Sequence, residues 1–461
     1  MAKAPELISE SNETALREAG VEHVWFHASA HRALADAAQG KRILVEGDGC
    51  IVKDIEGREY IDGMSALWLV NAGHGRKEIA DAMARQASTL AYASSTAATT
   101  IPAIQLATLL AEITPGDLNT VFFCSGGSEA VESAVKIARQ YHYFKGEPKR
   151  LKIIGRRGSY HGATHAAMSV SGTRSSSEPH GSPFMYGTMH VSPPYCYRCD
   201  YNHTYPSCDV YCVHAIEQLI EYENPKSVAA VIAEPISASN GIVVPPKEYL
   251  PRLREICDKH GVLLIVDEVI NGFGRTGKMF ASEHWDLVGD IMTMAKGLSS
   301  GYVPIGAAIC RPHVVEAFEG ENRLSHLLTF GGHAVACAAA LANLEIIQRE
   351  KLVDNSAIMG KRLLKQLEEL KSHPIVGDVR GLGLLCGVEL VKDRETKEKF
   401  EGEGDELKFM TQRLQDKGLL TRAGNVISLA PPLCIKKEQV DRIVEIIDET
   451  LSEAEQEFEL G

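Results

Sequence analysis

The sequence predicts an α/β protein: a large central, mostly parallel sheet flanked by helices, with a smaller α+β unit built from both chain ends. Three observations predict it. Short apolar runs recur between about residues 120 and 309, separated by stretches of helical periodicity. These runs do not alternate with polar residues, as strands covered on both faces require. Two further apolar runs lie beyond residue 380, past a long Ala-rich segment, so the tail belongs to a second unit. The expected division is residues 1–70 and 335–461 for the smaller unit and 71–334 for the larger one.

The elements follow in chain order. The first fifty residues end in the turn signal Gly47-Asp48-Gly49. Residues 50–54 and 59–62 flank Glu56-Gly57 and predict a short hairpin. Buried strands are expected at 120–123, 152–154, 228–232, 262–266 and 304–309, with helices between them. A helix is expected over 336–349, strands over 384–390 and 426–430, and an amphipathic helix from 436 to about 460. No internal repeat or low-complexity tract interrupts this pattern.

The chain has 461 residues, with 48 Lys and Arg against 61 Asp and Glu, a formal charge of −13. That balance argues against a protein built to grip nucleic acid or anionic lipid. No run approaches the roughly 20 apolar residues of a membrane span, and residues 1–20 lack a signal-peptide layout. A cytoplasmic protein is expected. Its 11 cysteines are expected to be mostly reduced thiols.

Four features carry chemistry. In Val121-Phe122-Phe123-Cys124-Ser125-Gly126-Gly127-Ser128-Glu129, a strand ends, small residues turn the chain, and a helix begins at about Glu129. Such a helix start holds an anion on free backbone N–H groups; a plain turn with Ser128 as N-cap is the competing reading. In Leu263-Leu264-Ile265-Val266-Asp267-Glu268-Val269, two carboxylates stand at the C-terminal end of a buried strand, the edge where α/β sheets bind ligands. They suit a metal or a cationic ligand atom, or else a helix cap. Gly272-Phe273-Gly274-Arg275-Thr276-Gly277 matches G-x-G-x-x-G formally, but no helix and no ribose-binding acid follow it at the needed spacing. Finally, Lys296 ends the apolar segment 290–295 and precedes small residues. A lysine against an apolar wall loses its charge easily and becomes a nucleophile. Together, an anion cradle, a strand-end Asp and a desolvated Lys are the parts that hold pyridoxal phosphate.

The order and spacing of Asp267-Glu268-Val269, Gly272 to Gly277 and Ala295-Lys296-Gly297 resemble the class III pyridoxal-phosphate aminotransferases, over nearly the whole chain from about Gly49. The resemblance implies the fold type I transferase architecture and a ping-pong reaction. It implies that Lys296 is the Schiff-base lysine, Asp267 the partner of the pyridine nitrogen, and Val269 and Tyr160 the residues on the two ring faces. Gly126, Gly127 and Ser128 match the phosphate loop, where Gly126 replaces a common serine. His161 and Glu234 complete the implied cofactor shell, although His161, like His326 and His333, also reads as a packing or hydrogen-bonding residue. Thr329 resembles the threonine that reaches the phosphate in a neighbouring subunit, implying a homodimer.

Arg422 resembles the family's carboxylate-binding arginine, and its planar fork suits that task. The position of Ser239 carries a glutamate in 4-aminobutyrate and ornithine aminotransferases, so serine speaks against a 2-oxoglutarate enzyme of that type. The segment from Gly63 to Gly75 resembles the ω-amino acid and amine:pyruvate subgroup, which makes Trp68 a substrate-pocket residue with Tyr160 and Arg422. The expected substrates are an amine donor and a keto-acid acceptor, pyruvate. An aminomutase, racemase or lyase on the same scaffold is the alternative, as is a 4-aminobutyrate:2-oxoglutarate enzyme; a nicotinamide-dependent oxidoreductase is a weaker one. No catalytic metal is expected. Cys196, Cys199, Cys208 and Cys212 form C-x2-C-x8-C-x3-C, a spacing that suits structural zinc, packed thiols or a disulfide.

Overall fold

The computed structural model describes residues 7–10, 12–35, 41–173, 178–181, 185–402 and 404–460. Three sheets organise them. The largest has seven strands in the order β4 (Thr120–Cys124), β10 (Gly306–Cys310), β9 (Ile291–Met294), β8 (Leu263–Asp267), β7 (Val228–Ala233), β5 (Lys152–Arg156) and β6 (Thr188–Val191). β6, β5, β7, β8 and β9 run parallel. Every residue of β7, β8, β9 and β10 is buried, which is why these segments read as unbroken apolar runs.

Helices cover both faces. Along β8, Ile265 packs towards the helix Gly127–Phe144 with Val131, Ala134 and Ala138. Leu264 and Val266 pack the other way, with Ile216 of the helix Tyr211–Tyr222 and Leu253 of the helix Tyr249–His260. Burial of each such side chain stabilises the fold by about 1.5–3 kcal/mol.

β10 departs from the expected parallel arrangement: it runs antiparallel to both β9 and β4. The reason is the connection. Only residues 295–305 join β9 to β10, with a single 3-10 turn at Lys296–Leu298. A parallel return needs a crossover of a dozen or more residues, usually a helix.

The chain ends meet in a second sheet. β1 (Leu44–Asp48), β2 (Ile51–Asp54) and β3 (Glu59–Asp62) form an antiparallel meander, and β13 (Leu419–Leu420) pairs parallel to β3. A third sheet holds β11 (Val376–Leu382), β12 (Leu385–Leu390) and β14 (Val426–Leu429). The helices Ala334–Arg349 and Lys437–Glu457 fall where the sequence places them. β6, β9 and β11 carry weaker signals: β11, for example, contains Gly377, Asp378, Arg380 and Gly381. Among the described residues no helix is long and apolar enough to cross a membrane.

Candidate active site

The C-terminal ends of β8 and β9 bring the first pair together. Asp267 is the last residue of β8 and lies opposite Thr293 of β9. Its Oδ1 accepts hydrogen bonds from Thr293 Oγ1 at 3.0 Å and from the Val269 N–H at 3.0 Å. Its Oδ2 lies 2.6 Å from His161 Nδ1. Two residues past β9, Lys296 adopts φ +46°, a left-handed conformation that costs a non-glycine residue about 1–3 kcal/mol. The strain turns its side chain into the same cavity as Asp267. Burial lowers the Lys296 pKa to about 8, with the Asp267 charge opposing. Its Nζ sits 5.4 Å from the centre of the buried Trp68 ring and makes no ion pair among the described residues.

A buried relay stands behind Asp267. Arg156 Nη2 donates to Glu234 Oε2 at 2.7 Å, and that oxygen is 3.8 Å from His161 Nε2. Burial disfavours the imidazolium of His161, but the Glu234 charge and the Asp267 hydrogen bond outweigh it and raise its pKa. Burial likewise opposes the Glu234 carboxylate, yet the charges of His161 and Arg156 hold its pKa below the ordinary value. His161 is therefore a hydrogen-bonding residue that holds Asp267, while its Nε2 faces Glu234 without a hydrogen bond. Glu234 touches the cavity wall and also accepts from the Tyr160 N–H at 3.4 Å and from Ser237 Oγ at 3.2 Å.

The helix expected to start near Glu129 begins at Gly127, with Gly126 as N-cap and no side-chain cap. Ser128 is thus inside the first turn and not the cap. Its Oγ accepts from the Ala163 N–H at 3.0 Å. An uncapped N-terminus leaves N–H groups free for an anion. A Cβ on Gly127 would come 2.9 Å from Val269 Cγ1, so glycine keeps this cradle open.

These residues line one cavity of about 170 Å³, walled by Gly127, Ser128, Tyr160, His161, Glu234, Asp267, Val269 and Lys296. Leu67, Ile236, Ala238, Ile270 and Asn271 complete it and were not singled out from the sequence. Asn271 sits two residues past Val269, and its buried Oδ1 has no partner. Gly126, Trp68, Thr329 and Arg422 do not line this cavity, although the Trp68 ring lies near Lys296. Thr329 is exposed, its carbonyl accepting from Tyr92 Oη at 2.7 Å. Arg422 is exposed, two residues past β13. His326 and His333 pack: His326 stacks on Phe122 and meets Ser133 Oγ at 3.0 Å, and His333 lies against Tyr92 and Phe330.

Two motifs resolve as scaffolding. Glu268 accepts from the Ala281 and Ser282 N–H groups at 3.1 and 2.7 Å, the cap reading of the second carboxylate. The Gly272–Gly277 run opens no helix; its Arg275 is buried and donates to Ser65 Oγ at 3.0 Å and Asn71 Oδ1 at 2.8 Å, while also reaching the Pro431 and Leu384 carbonyls. The run ties the two chain ends to the central sheet. Cys196, Cys199, Cys208 and Cys212 are free thiols around one small cavity, but no three of their sulfurs lie within 4.8 Å of one another. The four thiols share the wall of that cavity as free cysteines.

A further buried cluster was not read from the sequence. Arg380 of β11 donates to Gly241 O at 2.8 Å, Asp378 Oδ2 at 2.9 Å, Glu389 Oε2 at 2.6 Å and Tyr195 Oη at 2.7 Å. Gly241 ends the turn that begins at the cavity residue Ala238, so Arg380 braces the cavity wall from behind.

The family model for class III aminotransferases matches residues 35–451. The chain belongs to that family. The aminotransferase is 36% identical to a putrescine–pyruvate aminotransferase of Pseudomonas aeruginosa over 418 residues, covering 90% of this chain and 91% of that protein. Its fold matches an (S)-enantioselective ω-transaminase from Thermomicrobium roseum with a TM-score of 0.92 at 38% identity, covering 96% and 99% of the two chains. It matches a pyridoxal-phosphate-bound amine transaminase from an uncultivated Pseudomonas species with a TM-score of 0.89 at 34% identity, covering 94% and 99%. Its cofactor is pyridoxal phosphate, and the site fits that group: an open glycine cradle for a phosphate, an oriented carboxylate for a ring nitrogen, and a desolvated lysine for an aldehyde.

Proposed function

We propose that this aminotransferase moves an amino group from an ω-amino acid, a diamine or another primary amine to pyruvate in two half-reactions. The observation that carries the chemistry is Lys296, desolvated and strained into the same cavity as an Asp267 fixed by three hydrogen-bond partners. When bound, pyridoxal phosphate supplies an aldehyde that condenses with amines and a ring that accepts electrons from the substrate carbon.

Lys296 Nζ, largely neutral above pH 8, first acts as nucleophile and then moves the proton at the substrate carbon. Asp267, held in place by His161 and Thr293, would keep a proton on the ring nitrogen. The N–H groups at Gly127 and Ser128 would hold the phosphate, and the cavity-wall residues Val269 and Tyr160 would bound the ring. The buried Trp68 ring, 5.4 Å from Lys296 Nζ, would shield that amine from water.

The acceptor reading rests on Ser239. Its Oγ donates to the Gly158 carbonyl at 3.3 Å, and it offers Arg422 no carboxylate. Arg422 would then be free to take an incoming keto-acid carboxylate. The similarity to a putrescine–pyruvate enzyme supports the same acceptor and an ω-amine donor. We also infer a homodimer. Thr329, exposed and outside its own cavity, follows Leu327 and Leu328 of a groove of about 1250 Å³ that exposes Ile104 and Leu327 and suits a second copy.

Holoenzyme mixed with single amines, without acceptor, tests this reading. An ω-amine should bleach the aldehyde-form absorbance and pyruvate should restore it. Restoration by 2-oxoglutarate as fast or faster would overturn the use of Ser239. Failure of every amine to bleach the band would favour an isomerase or lyase.

A further inference from the structure

The cysteines of this chain fall into different settings. Four ring the small surface cavity, and five are buried away from any other sulfur contact. Cys50 and Cys434 differ from both groups: their Sγ atoms lie 3.7 Å apart, across 384 positions of sequence. Cys50 immediately precedes β2, and Cys434 lies between β14 and the helix Lys437–Glu457.

The contact has a dedicated slot. A Cβ on Gly73 would come 2.6 Å from Cys434 Sγ, and one on Gly49 would come 4.0 Å from it. Both glycines also have left-handed φ, +94° and +53°, so neither tolerates a larger residue. With glycine at 73 no side chain displaces Cys434 Sγ, and the two sulfurs stay in van der Waals contact. The pair is also polarised. The contact with Cys50 and the nearby Arg76 lower the Cys434 pKa, against burial. The same contact, with burial and Asp62, pushes Cys50 up. The contact thus sets the more readily ionised sulfur beside one that stays a thiol, the arrangement of an attacking and a resolving cysteine.

We propose that Cys50 and Cys434 form a covalent modification site, closed to a disulfide by a hydroperoxide and reopened by a thiol reductant. The Cys434 thiolate attacks one peroxide oxygen; the O–O bond breaks, hydroxide leaves, and Cys434 becomes a sulfenic acid. Cys50 sulfur then attacks Cys434 sulfur, the S–O bond breaks, and water leaves with the Cys50 proton. The hydroxide takes up the proton that Cys434 released on ionising, so overall two thiols lose two electrons and hydrogen peroxide becomes two waters. The sulfurs close from 3.7 Å to a bond of about 2.05 Å. A thiol reverses the step through a mixed disulfide.

The link would fasten the N-terminal hairpin to the C-terminal segment close behind the cavity. The Leu433 N–H donates to Asn71 O at 2.8 Å, and Asn71 Nδ2 donates to Phe273 O at 2.9 Å. A Cβ on Gly297, next to Lys296, would meet that same amide at 2.5 Å. The cross-link is independent of the transamination reading, since its readout is chemical.

The test uses reduced holoenzyme treated with a few equivalents of hydrogen peroxide, quenched in acid, unfolded in N-ethylmaleimide and digested without reductant. Mass spectrometry should find a linked Cys50–Cys434 peptide, lost on adding dithiothreitol, and the oxidised enzyme should melt several degrees higher. In Cys50→Ser, dimedone should trap a sulfenic acid at Cys434; in Cys434→Ser, Cys50 should stay unmodified. Cys50 and Cys434 both recovered as maleimide adducts, while Cys196, Cys199, Cys208 or Cys212 carry the oxidation, would overturn the proposal. So would a linked peptide that forms only after unfolding.

Discussion

Two buried cations, Lys296 and Arg380, show how one chain treats charge in opposite ways. Arg380 has a partner for each side of its guanidinium: Glu389, Asp378, Tyr195 and the Gly241 carbonyl, with the Tyr195 ring 4.7 Å from its centre. Burial lowers its pKa, but Tyr195 and Glu389 more than compensate and raise it. Lys296 has only the more distant Asp267 to offset burial, and its pKa falls to about 8. Full pairing makes a brace; incomplete pairing makes a reagent. The same contrast divides the neighbours Asp267 and Glu268. Asp267 faces the cavity, whereas Glu268 caps a 3-10 turn and is pushed up to about 7 by burial.

Substitutions break this comparison in order of expected effect. Lys296→Ala removes nucleophile and base together, and transamination measured by the half-reaction should fall by about 10⁴-fold or more while the melting temperature holds or rises. Recombination of apo-protein with pyridoxal phosphate should accelerate with pH and level off above about 8, because only the neutral amine attacks the aldehyde; a flat pH profile would show that Lys296 is not desolvated. Asp267→Asn keeps the shape and removes the charge, and the half-reaction rate should fall about 10²–10³-fold with bound cofactor retained.

Arg380→Gln should act oppositely. It leaves Glu389 and Asp378 without their shared cation and should cost about 3–5 kcal/mol in denaturant unfolding, with a much smaller effect on turnover at low temperature. A turnover loss as large as that of Asp267→Asn would erase the distinction between brace and reagent. The smallest effect belongs to Glu268. Its folded pKa is raised from 4.5 to about 7, so the stability it contributes is complete below pH 4.5 and is lost as pH rises towards 7, by about 3 kcal/mol. Glu268→Gln should remove that slope from the unfolding free energy.

Much of this was legible in residue order. Unbroken apolar runs reveal β7 and β8 because burial on both faces leaves no room for polar alternation. Lys296 and Asp267 stand out because each ends such a run, where α/β sheets expose ligand-binding edges. Helix and strand periodicity also sufficed for the hairpin β2–β3 and for the helix Ala334–Arg349.

Tertiary structure alone decided the rest, since those features join residues that no local pattern connects. The antiparallel placement of β10 depends on where a short connection ends. The His161 bridge from Asp267 towards Glu234 joins three separate elements, and the Arg380 brace joins β11 to Gly241 across 139 positions. Four cysteines close in sequence gather around one cavity, and two cysteines 384 positions apart touch as well. Sequence spacing governs what one helix turn or one strand can align; it cannot govern distances set by the packing of separate elements around a shared core.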